Sequence, residues 1–376
     1  MARPVVLFSS LREPSYVRNT LALRAIGARH EVRQVTSDAS SYPQRLASVL
    51  PRLAARAADY DVCHAGFLGQ PLAIWLRLCQ RRPIVLDAFV SVYDTLCFDR
   101  HVGRTWPPLG WAAYWLDRLA TVCSAVVVVD TEANAEYFSK TFLTPRHKIE
   151  TVYLGYDAEV FAPVPGERPG GKPFQVFSYC SYLPVHGMDT VVKAASLLRS
   201  ERSLAFTLVG KGPTYVAARS MAGRLDLPNL KFVDWIPYHR LPAAIAAADV
   251  CLGGHFATSG KARRTIAGKT YQFLAMGKPT IVGDCGANRE LLAPGEHAMF
   301  CEQGSPESLA EAILALSRSP DLRHHLGARG VELMRQRFEG GTVADQWARI
   351  VTRALGSDAG PLPPKLPKGF RSLLSF

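Results

Sequence analysis

Short apolar runs alternate with helix-period segments along most of the chain. Val5-Val-Leu-Phe8 reads as a strand, and Tyr16 to Ile26 as a helix closed by Gly27. His30 to Val35 predicts a second strand. From Ser40 to Ala58 the apolar positions Leu46, Val49, Leu50 and Leu53 fall at helical spacing. Asp61 to His64, Pro83 to Leu86 and Ala125 to Val129 are further strands. Several of these runs are apolar at consecutive positions rather than alternate ones, the pattern of a parallel sheet covered on both faces. The stretch from Phe161 to Pro173 is dense in proline and glycine and reads as a linker. Beyond it the alternation restarts, with strands at Phe174–Ser178, Ala205–Val209, Lys231–Trp235, Val250–Leu252 and Thr280–Val282. The boundaries predicted are an N-terminal α/β domain over 1–165 and a second over 166–340. A closing segment over 341–376 is expected to be a helix returning toward the first domain, followed by a Pro-rich basic tail. In such folds ligands bind outside the carboxyl ends of the strands.

One segment carries the clearest chemistry. Lys261, Arg263, Arg264 and Lys269 crowd into a stretch with no acid, and Gly268 stands at a helix start that runs to Gly277. Backbone N–H groups and the helix dipole make such a start an anion site, and the added cations favour a diphosphate over a carboxylate.

Composition narrows the partner. The chain has 376 residues and a formal net charge of +12, so an anionic ligand fits. The basic residues are scattered and do not interleave with aromatics, so no nucleic acid is expected. The eight cysteines form no Cys-x-x-Cys pair, which suits free thiols in a reducing compartment. The first residues resemble no signal peptide and no apolar run reaches membrane-span length, so a cytoplasmic location is expected. In the tail beyond Gly356, Lys365, Lys368 and Arg371 interleave with Phe370, Leu373, Leu374 and Phe376. That pattern suits either contact with an anionic inner membrane face or a strap on the domain surface. The helical stripe Trp111, Tyr114, Trp115 and Leu119 reads as core, with a lipid-acceptor groove as the other reading.

The second half resembles the retaining glycosyltransferases of family 4 type. The resemblance rests on an ordered series: Tyr153-Leu-Gly-Tyr-Asp157 with Phe161-Ala-Pro163, Leu183-Pro-Val-His-Gly-Met-Asp189, Leu208-Val-Gly-Lys-Gly-Pro213, Lys231-Phe-Val-Asp-Trp-Ile-Pro237, Leu274-Ala-Met-Gly-Lys-Pro279 and Arg289-Glu-Leu-Leu292. It implies the GT-B fold: two Rossmann-like α/β domains whose parallel sheets face a central cleft. It also implies a nucleoside-diphosphate sugar as donor substrate, with no cofactor and no metal site. On the donor side it points to Ser181, His186, Gly187, Gly210, Lys211, Gly212, Gly268, Thr270 and Gln272 as binding residues, to which the cation-rich stretch adds Arg263 as a binding residue and Arg264 and Lys269 at the leaving group.

The departures from the family shape the expectation. Arg264 and Gln272 stand where the family carries a pair of glutamates, and Ser181 and His186 where it carries an arginine and a lysine. Gln272 is still able to bond a ribose diol. The cations lost from one loop are matched by Arg263, Arg264 and Lys269 on another. In the first half, Asp87 stands where the family often has a histidine. With Asp94 and Asp99 it lies on the loop leaving a strand, where an acceptor hydroxyl would be oriented or deprotonated. For Asp94 the other reading is a helix cap, and for Asp99 an ion pair with Arg100 or Arg104. His64 reads as either an acceptor contact or a buried histidine, His255 as a sugar contact, and Glu290 as helix N-terminal charge or a reader of sugar or base edges. The expected function is transfer of a sugar to a hydroxyl of a sugar, lipid-linked or small-molecule acceptor. The alternative is a catalytically silent GT-B partner that only binds nucleotide.

Overall fold

A computed structural model describes residues 3–12, 15–56, 59–99, 105–163 and 173–356. The chain forms two compact units, one made of residues 1–153 with 341–376 and the other of 154–340. The expected tail lies outside the described residues, as do Arg100, Arg104 and the side chain of Asp99.

The first unit is a six-stranded sheet in the order β2-β1-β3-β4-β5-β6, with every pairing parallel. Its strands are β1 (Val5–Ser9), β2 (Glu31–Val35), β3 (Val62–Ala65), β4 (Ile84–Asp87), β5 (Val126–Val129) and β6 (Ile149–Thr151). Successive side chains point to opposite faces, and both faces are buried here. Leu7, Cys63, Leu86, Val127 and Val129 enter one core. Val6, Phe8, Val62, Val85, Val126 and Val128 enter another. Two apolar faces explain the unbroken β-branched runs.

The helices of this unit are α1 (Val17–Gly27), α2 (Tyr42–Ala55), α3 (Gln70–Cys79), the single turn α4 (Val92–Asp94), α5 (Pro107–Cys123) and α6 (Glu132–Thr141). A capping box between Ser41 and Gln44 starts α2. The loop after β4 is held by Asp117 of α5. Its buried carboxylate accepts from Ser91 Oγ at 2.7 Å, the Tyr93 backbone N–H at 2.9 Å and Gln70 Nε2 at 3.1 Å. Burial pushes that carboxyl up to about 6, against the pull of those donors.

The second unit is built on the sheet order β12-β11-β10-β7-β8-β9, again wholly parallel. The elements run β7 (Phe174–Tyr179), α7 (Met188–Leu197), β8 (Leu204–Val209), α8 (Tyr215–Arg224), β9 (Leu230–Val233), α9 (Leu241–Ala246), β10 (Val250–Leu252), α10 (Gly260–Arg264), α11 (Gly268–Ala275), β11 (Thr280–Gly283), α12 (Gly286–Leu291), β12 (Met299–Cys301), α13 (Pro306–Arg318) and α14 (Pro320–Phe338). Read from β9, the sheet builds inward to β7 and then jumps to β10. That reversal is the topological switch point of a Rossmann-type sheet, and the loops after β7 and β10 diverge there.

The last described helix, α15 (Thr342–Gly356), packs in the first unit. Trp347, Ile350, Val351 and Ala354 line its buried side and join the core around Val6 and Phe8. Gln346 Nε2 donates to the Thr151 carbonyl at 2.6 Å, and Arg29 Nε pairs with Asp345 Oδ1 at 2.9 Å. Among the described residues no helix is long and apolar enough to cross a membrane.

Candidate functional site

The site lies at the switch point of the second unit. Strand β7 runs into the loop Cys180–Gly187, which carries Ser181 and His186 ahead of α7. The turn after β8 packs backbone to backbone against that loop. A Cβ on Gly210 (φ 118°) would stand 1.9 Å from the Cys180 carbonyl oxygen, and one on Gly212 1.7 Å from that of Ser181. The two glycines are therefore required by contact between loops, and any ligand meets the Cys180–Ser181 backbone rather than an open glycine cradle. Gly187 is wedged likewise, its Cβ position 2.4 Å from the Ala257 backbone nitrogen.

His255 leaves the end of β10 and turns inward. Its ring centroid lies 5.2 Å from that of His186, and the two rings are tilted by 36°. The side chain of His255 is 6% exposed. Its Nδ1 and that of His186 are buried without a hydrogen-bond partner. His186 Nε2 lies 3.4 Å from Ser181 Oγ. Lys269, in the first turn of α11, is also 6% exposed and donates through Nζ to Ser178 Oγ at 3.0 Å. The Ser178 hydroxyl in turn donates to the Leu252 carbonyl at 2.9 Å. The ammonium is thus anchored between β7 and β10, directly at the strand reversal.

The electrostatics are those of a basic cluster. Burial holds Lys269 below the usual lysine range. Burial, then Lys269 and Lys261, bring His255 down to about 3. The same burial, with Lys269, His255 and Lys261, holds His186 well below an ordinary imidazole. The charged neighbours acting on the two rings are all bases. A bound anion would reverse each of these effects.

The structure divides the four cations expected to act together. Lys261, Arg263 and Arg264 belong to the short α10, which stops at Thr265, whereas Lys269 belongs to α11. Arg263 is exposed. Arg264 is half-buried and folds back so that its Nη1 would lie 2.8 Å from a Cβ on Gly260. Only Lys261 and Lys269 act on the histidines. Gln272 is buried, and its carboxamide oxygen accepts from the Tyr179 hydroxyl. That oxygen is committed within the fold instead of standing open to a ribose diol. Lys211 pairs with Asp234 at 2.8 Å on the exposed surface, away from the role of phosphate ligand. Thr270 is buried against Gly253, and its Oγ1 has no hydrogen-bond partner. Gly268 packs near Leu154, whose Cδ2 would lie 3.0 Å from a Cβ there. Ser181 is exposed.

In the first unit two of the carboxylates expected to serve an acceptor, Asp87 and Asp94, are buried within the fold. Asp87, 1% exposed, receives Arg18 Nε on Oδ2 at 2.9 Å and Arg18 Nη2 on Oδ1 at 3.1 Å. Arg18 also donates to the Val152 carbonyl at 2.8 Å. A carboxylate gripped at both oxygens by a buried guanidinium is a structural tether, not an open base. Asp94 is buried as well, and it does not cap its turn: Ser91 does, accepting the Asp94 N–H at 2.9 Å. His64 is a core histidine, stacked on Phe8 at 4.8 Å and edge-on to Trp347 at 5.1 Å, and burial brings it down to about 4. Glu290 sits late in α12, beyond its first turn, so the reading as helix N-terminal charge is corrected. The aromatic stripe of α5 is corrected too. That helix buries Gly110, Ala113, Asp117 and Ala120, while Trp111 is 68% and Trp115 41% exposed. Arg18 and Ser178 went unremarked in the sequence, since neither carries a motif and both act through partners distant along the chain.

Two wholly parallel six-stranded sheets in one chain, the second with a basic cluster at its switch point, define the GT-B class. A solved structure of Anabaena Alr3699/HepE in complex with UDP and glucose superposes with a TM-score of 0.72 at 18% identity, covering 93% of this chain and 99% of that one. Sucrose-phosphate synthase from Thermosynechococcus elongatus gives 0.72 at 17% identity, over 93% and 98%. At these identities the likeness shows the fold. In sequence, residues 175–319 match the model described as Glycosyl transferases group 1. A phosphatidyl-myo-inositol mannosyltransferase of Mycobacterium leprae is 27% identical over 173 residues, which cover 44% of this chain and 43% of that protein.

Proposed function

We propose that the chain transfers a sugar from a nucleoside-diphosphate sugar to an acceptor hydroxyl, with retention of anomeric configuration and without a metal ion. The observation that carries this reading is the Lys269–His255–His186 cluster at the switch point of the second unit, with Lys269 and His255 buried. The bond from the anomeric carbon to the diphosphate oxygen breaks, a bond to the acceptor oxygen forms, and the acceptor proton leaves with the diphosphate. Negative charge grows on the departing oxygen, and a pre-placed cation in a site of low dielectric stabilises it strongly. Lys269 and Lys261 take the place a divalent ion would otherwise fill. The HepE complexes with UDP and UDP-glucose support a uridine nucleotide as the first donor to try. A thermal-shift panel of nucleotide sugars is expected to show one that raises the melting temperature, with slow hydrolysis of that donor in the absence of acceptor. Tight binding with no turnover of any donor would support the silent partner instead. Addition of EDTA is expected to leave turnover unchanged.

The enzyme is further proposed to work at the inner face of a membrane. The support is the pair Trp111 and Trp115, exposed on one helix of a protein with a net charge of +12. Tryptophan favours the headgroup region, and basic charge favours anionic lipid. A Trp111→Ser/Trp115→Ser variant is expected to lose most co-sedimentation with anionic vesicles while keeping its melting temperature. Undiminished co-sedimentation would remove these residues from any membrane role.

A further inference from the structure

The segment from the end of β10 through α10 carries both His255 and Lys261, and one side chain from outside it ties the two ends together. Gln303 follows β12 by two residues and is 9% exposed. Its Nε2 donates to the His255 carbonyl at 3.0 Å and to the Ala262 carbonyl at 3.2 Å. A carboxamide nitrogen has two N–H groups, and both are spent here. Ala262 stands in the last turn of α10, where a helix leaves carbonyls without donors of its own. Both carbonyls belong to buried residues, where an unmet acceptor is costly. Ionised glutamate and methionine lack the donors, and asparagine is one methylene short. The fold also makes room for this contact. Gly283 ends β11 and pairs with Cys301 of β12. A Cβ on Gly283 would stand 2.1 Å from the His255 carbonyl oxygen and 2.8 Å from Gln303 Cγ. Its φ lies outside the left-handed region, so space and not backbone conformation requires glycine there.

Neighbouring groups hold the same segment at other points. The Gly304 N–H donates to the Phe256 carbonyl at 2.7 Å, and the Phe256 N–H to the His186 carbonyl at 3.4 Å. Asn288 Nδ2 donates to the Gly283 carbonyl at 2.7 Å. The path of the chain is thus secured without Gln303, and what Gln303 adds is the spacing between His255 and α10. We infer that Gln303 is a positioning residue for sugar transfer: by bridging the His255 and Ala262 carbonyls it sets the imidazole of His255 and the helix of Lys261 in the places from which they meet the leaving diphosphate. This rests on the proposed donor chemistry of the same site. A leaving group is stabilised by groups already in place, and a displacement of about 1 Å costs up to about a hundredfold in rate. Ground-state affinity depends less on that placement, because it also draws on nucleotide and sugar contacts away from the reacting oxygen.

The test compares Gln303→Met, which keeps the length and removes both donors, with the unmodified full chain. The donor is UDP-glucose, or whichever nucleotide sugar gives the largest thermal shift. Turnover is measured well below the melting temperature of the variant and divided by the folded fraction, read by circular dichroism. A kcat lower by about tenfold to a hundredfold is expected, with KM for the donor within about threefold. An unchanged kcat per folded molecule would overturn the inference whatever happens to the melting temperature, since a residue that only holds the fold lowers stability and not turnover. A loss confined to KM would also overturn it, because it would place Gln303 in donor binding alone. Absence of turnover of every nucleotide sugar by the unmodified chain would overturn the sugar-transfer reading itself. The ring nitrogen resonances of His255 and His186 in histidine-labelled protein then decide whether Gln303 sets the imidazoles: displaced in Gln303→Met if it does, unmoved if it does not. Should Gln303→Met fail to fold, Gln303→Asn carries the same measurements with the same expected signs.

Discussion

Replacing Lys269 with methionine is expected to lower sugar transfer by about 10²–10³ in turnover, the cost of removing one pre-placed charge partner from a developing oxyanion. The ammonium is buried and aimed by its 3.0 Å bond to Ser178. Methionine matches the stem in length and leaves no polar atom orphaned, because Ser178 retains its bond to the Leu252 carbonyl. The melting temperature should hold or rise, since the desolvation cost of a buried ammonium disappears. Arginine at this position is not expected to restore activity, because its planar fork does not fit a site shaped for one point donor. Arg263→Ala, at an exposed position, should change turnover little. Arg264→Ala should fall between the two. Steady-state turnover of the donor, read beside the melting temperature, checks all four. Turnover of Lys269→Met within tenfold of the unmodified enzyme would mean that the leaving group departs elsewhere.

The second large effect concerns the first unit. Asp87→Ala is expected to destabilise it by about 3–5 kcal/mol, because Arg18 would be left charged, buried and short of its main partner. The pair is dry: the two side chains are 2% and 1% exposed. Arg18→Met should cost a similar amount for the mirror reason. The double variant Arg18→Met/Asp87→Leu should cost less than either single change, since a matched apolar pair removes both desolvation penalties at once. Urea unfolding of the full chain, followed through the transition of the first unit, measures this. A loss below about 1 kcal/mol for Asp87→Ala would show that the pair is solvated or dispensable. The same series separates fold from chemistry. A base that acts on the acceptor would reduce turnover in a protein of unchanged stability, whereas a tether reduces both together.

Much of the architecture was legible in the chain. The strand runs around Val5, Val85 and Val126 are apolar at consecutive positions, and a sheet buried on both faces is the simplest structure that accepts them. Gly210 and Gly212 marked a turn, although the reason for them is contact with the Cys180–Ser181 backbone. The helix start at Gly268 and its end at Gly277 were visible for local reasons, in chain reversal and capping. For Gln272 and Lys211 the residue types suit a ligand, and the sequence does not show that Tyr179 and Asp234 contact them within the fold. The stripe of Trp111 and Trp115 was misjudged. Helical spacing aligns side chains on one face without saying which face is buried, and here it is the one with the small residues Gly110, Ala113 and Ala120.

The sequence by itself determined the two α/β units, the parallel character of their sheets and the stretch in which cations are concentrated. These rest on periodicity, glycine placement and charge composition, all of which act over a few residues. Tertiary structure alone decided which charges count. Lys269 is buried and Arg263 is not, although they stand within two turns of chain. Asp87 is answered by an arginine 69 positions earlier. His186 and His255 become a pair only because β7 and β10 lie side by side at the strand reversal. Burial and long-range pairing depend on how elements pack, and the free energy of a charge depends on both.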